Sequence, residues 1–353
     1  MAAVDWGLAE KVAIRAAGRD PFADSYHYPS LADDFAELTV LAETQVAEAT
    51  GLRSASGAAR ARVTDRPGWV RANVASFQRL LRPITDRLEQ HMNSPMAPIA
   101  SRVAAVEVGV VLGWMSSRVL GQYDLLVVED EDPEDQDIVY FVGPNILGLE
   151  KRFAFPPREF RHWLALHEVT HRAQFTGIPW MRHHFLGLVQ ETVNSVDPDP
   201  KRFADALARV AGDIRKGRNP LDDGGIVAVF ASPEQRAVLD QVAGLMSLLE
   251  GHGDVTMDRA GADQIPSAER FGQVLRQRRQ QGNPAVKVLQ KLIGLDAKMK
   301  QYEQGEAFIE RVEDEGGTEL LDLAWVEPGN LPSIAEIRDP EAWIRRVRPT
   351  VAA

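Results

Sequence analysis

The chain has no cysteine. That excludes a disulfide framework, a thiolate zinc site and a thiol nucleophile, so any metal must be held by His, Asp or Glu. Positive charge is in deficit. Lys and Arg number 40 against 51 Asp and Glu, a formal net charge of −11. Such a surface repels phosphate backbones, and no nucleic-acid partner is expected. The basic cluster Arg276, Arg278 and Arg279, with Arg270 before it, reads as a solvated helix face. Long uncharged apolar runs are also missing. The longest apolar stretch, Val103 to Met115, carries Glu107 and reads as a core helix, and no membrane association is expected. The start, Met1 to Pro21, lacks the basic and apolar regions of a secretory signal. With the absence of cysteine, this gives a cytoplasmic expectation. There is no internal repeat, no low-complexity tract and no Gly-rich phosphate loop.

What is present is mostly helical periodicity. Apolar residues recur at helical spacing over Trp6–Ala17, Leu31–Thr50, Trp69–Leu88 and Ile99–Leu120. Further helices are predicted near 158–177, 181–196, 200–216, 233–252, 267–281, 284–294 and 296–315, with a short one near Glu341–Val347. Two β-rich runs, Asp124–Val128 and Ile138–Val142, flank an acidic loop and predict a hairpin. That loop holds seven carboxylates between Glu129 and Asp137, but it lacks the glycine and the ligand spacing of a calcium loop. Leu320–Val326 reads as one more strand. The fold class is mostly α with a small β-sheet (α+β), multi-helical. One domain over 1–353 is the economical division, with room for a helical N-terminal lobe 1–120 and a catalytic region 121–353.

The chemistry centres on Trp163-Leu-Ala-Leu-His167-Glu168-Val-Thr-His171-Arg-Ala-Gln-Phe175. In His-Glu-x-x-His on a helix, residues four apart share a face, so His167 and His171 can point at one Zn2+ ion. Glu168 comes round towards a metal-bound water and can act as general base. The segment follows Pro156-Pro157, is apolar around the motif and stops at Gly177 and Pro179. Buried imidazoles there would be costly without a partner.

Such a centre needs a third protein ligand. Glu191 lies twenty residues after His171, an offset similar to that of the thermolysin-like gluzincins, but no acidic residue follows four places on. Glu250, in Leu248-Leu249-Glu250-Gly251-His252-Gly253-Asp254, is favoured. It ends an apolar helix, and Asp254 could accept the other ring N–H of a ligand histidine. His252 is a further candidate, as ligand or as donor to an oxyanion. Tyr302 is another candidate oxyanion donor, against the plainer reading of a structural tyrosine. His183 and His184 are adjacent and cannot share a helix face. His27, His91 and His162 have no evident role at the site.

The chain resembles the zincin-like metallopeptidases of actinobacterial type, named for association with coenzyme F420 biosynthesis. The resemblance covers nearly the whole chain. It is carried by Asp65–Asn73, Arg118–Asp124, Val142–Asn145, the Trp163–Phe175 run, Pro179-Trp180 and Leu249–His252. It implies a mostly helical fold with catalytic zinc, supports Glu250, and names no substrate. A zinc-dependent hydrolase of peptide or small amide bonds is the leading reading. The alternatives are a zinc-binding scaffold that does not turn over and a hydrolase of a small amide metabolite. Tyr140–Asn145 is read as an edge strand able to pair with an extended peptide. Oligomeric state is not legible in these patterns.

Overall fold

The structure is a computed structural model that describes residues 3–22, 24–82, 85–86, 89, 97–125, 137–194, 233–262, 264–280 and 295–348. The chain forms two compact units, Met1–Gly177 with Thr256–Gly272, and Ile178–Val255 with Gln273–Ala353.

The first unit starts with α1 (Trp6–Ala17) and α2 (Ser30–Thr50), then β1 (Arg60–Thr64), α3 (Arg66–Leu80) and α4 (Ala97–Ser116). Strands β2 (Gly121–Tyr123) and β3 (Ile138–Val142) follow, then α5 (Gly143–Phe153) and α6 (Pro157–Gly177). Helix α1 carries a stripe of small residues, Ala9, Ala13 and Ala17, all buried. Gly109 and Gly113 of α4 lie against that stripe. A methyl group on Gly109 would stand 2.6 Å from the Ala9 carbonyl, and one on Gly113 would strike the Ala13 carbonyl. Two helices with so little between them pack backbone to backbone. Around them Trp69, Val70, Val74, Leu112 and Val142 form a core cluster.

The sheet has the order β1-β3-β2, with β1 parallel and β2 antiparallel to β3. Strand β3 is therefore central and paired on both sides. This corrects the edge-strand reading of Tyr140–Asn145: no ladder position on Ile138–Val142 is open to a peptide, and Gly143–Asn145 begin α5. The central place also explains the burial of Ile138, Val139, Phe141 and Val142. The antiparallel partner is Gly121–Tyr123, just before the run expected to pair; Leu126 to Gln136 lie outside the described residues.

The side chains that carried the resemblance converge here. Asp65 caps α3 by accepting from the Gly68 N–H at 2.6 Å. Arg66 donates to Asn145 Oδ1 at 2.8 Å, and Asn145 in turn donates to the Ser116 and Val119 carbonyls that end α4. Gln122 donates to Asn73 Oδ1 at 3.1 Å, which fixes β2 against α3.

In the second unit, α7 (Met181–Asn194), most of α8 (Pro233–Gly261) and α10 (Leu295–Asp322) are joined by two short helices, α11 (Ile334–Arg338) and α12 (Pro340–Val347). Helix α9 (Ala268–Gln280) begins in the first unit, as does α8 from Thr256 onwards. The core of the second unit gathers Leu248, Phe308, Ile309, Val312, Leu321, Ile337 and Trp343. Leu320–Val326 is not a strand. It finishes α10 and continues as a 3₁₀ turn, Leu323–Trp325, because Leu320, Leu321 and Ala324 reach this core at helical spacing. The helices expected near 200–216 and 284–294 lie outside the described residues.

Candidate metal centre

The motif helix α6 starts at Pro157, whose missing N–H costs nothing in a first turn, and runs to Gly177. It is buried along most of its length and carries several ionic and polar groups inward. Arg161, Arg172 and His162 are each met by a partner. Arg161 makes a bidentate pair with Glu150 of α5 at 2.8 and 2.9 Å and also binds Asp34 of α2. Arg172 is 1% exposed. It donates to Asp137 at 2.7 Å, to Glu43 of α2 at 2.7 Å and to the Gly57 carbonyl at 2.9 Å. Asp137 also accepts from the Tyr123 hydroxyl at 2.9 Å. The last carboxylate of the acidic loop is thus a buried counter-ion for the motif helix. His162 meets Gln45 Oε1 at 2.7 Å, and burial pushes its pKa below the ordinary value, helped by the Arg158 cation.

These anchors leave the other face of α6 for His167 and His171. Their rings stand nearly perpendicular with centroids 4.6 Å apart, and the two Nε2 atoms are 3.2 Å apart. Metal–nitrogen bonds of ~2.0–2.1 Å at a tetrahedral angle place two ligand nitrogens about 3.3–3.4 Å apart. The observed spacing therefore suits one shared zinc ion. His171 Nδ1 is 3.0 Å from Gln174 Oε1. An amide oxygen only accepts, so Nδ1 carries the proton and Nε2 keeps its lone pair for a metal. Gln174, fully buried, was not among the residues expected from the sequence. Its signal was available as an amide three residues beyond a candidate ligand.

Glu168 is 7% exposed and lies under β2. A methyl group on Gly121 would stand 2.6 Å from both Glu168 Cγ and Oε1. Glycine at this point of the strand is what gives the carboxylate its room. Nothing local in the sequence pairs Gly121 with Glu168, because the two residues meet only through the fold.

Glu250 is 3% exposed on α8. Within the second unit, Gly251 packs directly on the backbone of Gly305 and Glu306 of α10. Asp254 follows one helical turn after Glu250 and is half-buried. His252 is buried with its ring edge-on to Trp325, centroids 5.2 Å apart. Tyr302 belongs to α10 three residues before Gly305, in a stretch whose side chains lie outside those described. Glu191 is exposed on α7. His183 is exposed, and His184 packs against Trp180 with its pKa lowered by burial and by His183.

Two imidazole nitrogens 3.2 Å apart, with a glutamate directly after the first imidazole on a buried helix, are the kind of donor pair that zincins present to a metal ion. The family comparison agrees: residues 4–344 match the model of the zincin-like metallopeptidases, and the chain belongs to that family. A solved protein from Chloroflexus aurantiacus, described as a candidate hydrolase with a novel fold, is 31% identical over 98% of this chain and 99% of its own, with a TM-score of 0.73. No curated protein matches.

Proposed function

We propose that the chain is a zinc-dependent hydrolase of peptide or amide bonds, with His167, His171 and Glu250 as ligands and Glu168 as general base. The observation that carries the reading is the 3.2 Å approach of the two imidazole Nε2 atoms. Zinc bound there would polarise a carbonyl and acidify a water. Glu168 takes the proton from that water and passes it to the leaving amine. Asp254 would accept the ring N–H of His167 in the loaded centre, since the corresponding nitrogen of His171 already faces Gln174. His252 or Tyr302 donates to the developing oxyanion.

Elemental analysis tests the ligand set. The purified protein should carry about one zinc per chain, and His167→Ala and Glu250→Ala should each lose it. Zinc kept by Glu250→Ala would move the third ligand to Glu191. A wild type that neither carries nor takes up zinc would end the proposal.

Gly121 gives a second prediction. In Gly121→Ala the new methyl meets the end of a flexible side chain, so Glu168 swings aside at little cost in stability. A catalytic group displaced by about an ångström can cost ~10²-fold in turnover. The variant should melt near the wild type, keep its zinc and lose at least about tenfold in kcat. A kcat within twofold of wild type, roughly the scatter of such assays, would show that Glu168 is not held by this contact.

A further inference from the structure

Helix α4 presents two faces. One, through Gly109 and Gly113, is packed on α1. The other leaves four β-branched residues in solvent: Ile99 is 55% exposed, Val103 51%, Val106 43% and Val110 45%. Their spacing is four, three and four, the a/d rhythm of a coiled-coil seam. Written as a heptad, Val103 and Val110 occupy a, and Ile99 and Val106 occupy d; the next d, Gly113, is packed on α1 and ends the stripe. Arg102 then falls at g and Glu107 at e, so the two flanks of the stripe carry opposite charge. Both residues are exposed, and among the described residues neither forms an ion pair.

We propose that this stripe is the seam of a homodimer in which α4 pairs in parallel with α4 of a second copy. The charge pattern selects both the partner and the direction. In a parallel two-fold pair, the g residue of one helix lies beside the e residue five places further on in the other. Arg102 of each copy then meets Glu107 of its partner, twice by symmetry. An antiparallel pair would set Arg102 against Arg102 and Glu107 against Glu107. The apolar layers are Ile99, Val103, Val106 and Val110, each against itself.

A membrane is the competing occupant, because Pro98–Ser116 is long and apolar enough to span one by length and composition. Two features favour a protein partner. The apolar surface is a stripe with a charge on each flank, and the side of the helix next to it, through Gly109 and Gly113, is already filled by α1. Four layers span roughly 18 Å of helix, which makes a small interface, and association in the micromolar range is expected.

Sedimentation velocity on the zinc-loaded full-length protein, from low to high micromolar concentration, tests the seam. The wild type should show a monomer–dimer equilibrium. Val106→Asp buries two like charges against each other and should weaken association by more than about a hundredfold. Arg102→Glu and Glu107→Arg should each weaken it about tenfold, and the double variant should return close to wild type. All three positions are exposed, so circular dichroism and zinc content should be unchanged. A wild type that stays monomeric throughout would overturn the proposal. So would a dimer indifferent to Val106→Asp, or a double variant that fails to recover. Wild-type protein that remains monomeric but co-sediments with phosphatidylglycerol–phosphatidylcholine vesicles, where Val106→Asp does not, would assign the stripe to a lipid surface instead.

Discussion

Glu168→Gln is expected to keep its full complement of zinc and to lose ~10²–10⁴-fold in kcat, the usual contribution of a positioned general base. The amide has nearly the shape of the carboxylate, so it fits the same buried space under Gly121. The groups that orient the imidazoles, Gln174 among them, are untouched. What disappears is the ability to accept a proton from water. Metal content by elemental analysis and turnover on the best substrate of a peptide and small-amide screen read the two properties separately. Equal turnover in wild type and variant would remove Glu168 from the chemistry. If neither protein turns over any substrate while both hold zinc, the centre is a structural one in a binding protein.

The second large effect is on stability. Arg172→Met should cost about 3–5 kcal/mol, because it leaves a buried carboxylate without its cation. Asp137, the more buried of the two partners, would keep the Tyr123 hydroxyl, while Glu43, nearer solvent, would still accept from the Ala59 N–H at 3.0 Å. The asymmetry supplies a control. Arg172→Met with Asp137→Asn removes the stranded charge and should recover a good part of the loss. Denaturant unfolding of the four proteins in the cycle measures it. A loss under about 1 kcal/mol in the single variant would mean that water enters and solvates Asp137, as at a surface pair.

The motif helix was legible because its signals are local. Pro156-Pro157, Gly177 and the four-residue histidine spacing all sit within one stretch of sequence, and the helix runs over Pro157–Gly177. Other elements were hidden for identifiable reasons. Gly143-Pro144-Asn145 looked like the stop of a strand, yet a proline in the first turn is equally a start, and α5 begins there. Strand β1, Arg-Ala-Arg-Val-Thr, has no apolar run. It exists because β3 offers a parallel ladder to a segment that is half-buried except at Arg62. The centrality of β3 could not be read without knowing that β1 pairs with it. In the same way, Glu168 with Gly121 and Arg172 with Asp137 join residues 47 and 35 positions apart. Spacing along a chain carries no trace of such meetings.

Arg161 and Arg172 stand eleven residues apart, about three turns, and so leave the motif helix on one side. Each is clamped by carboxylates, one near the start of the helix and one near its end. A cylinder pinned at two such points cannot roll about its own axis. The azimuth of the histidine pair is therefore set by ionic contacts that need no metal, and the ion is met by two nitrogens already aimed. Less conformational entropy then remains to be surrendered on binding than in small domains that fold around their zinc. On the proposed ligand set, folding of the ligand helix and loading of a metal would be separable events.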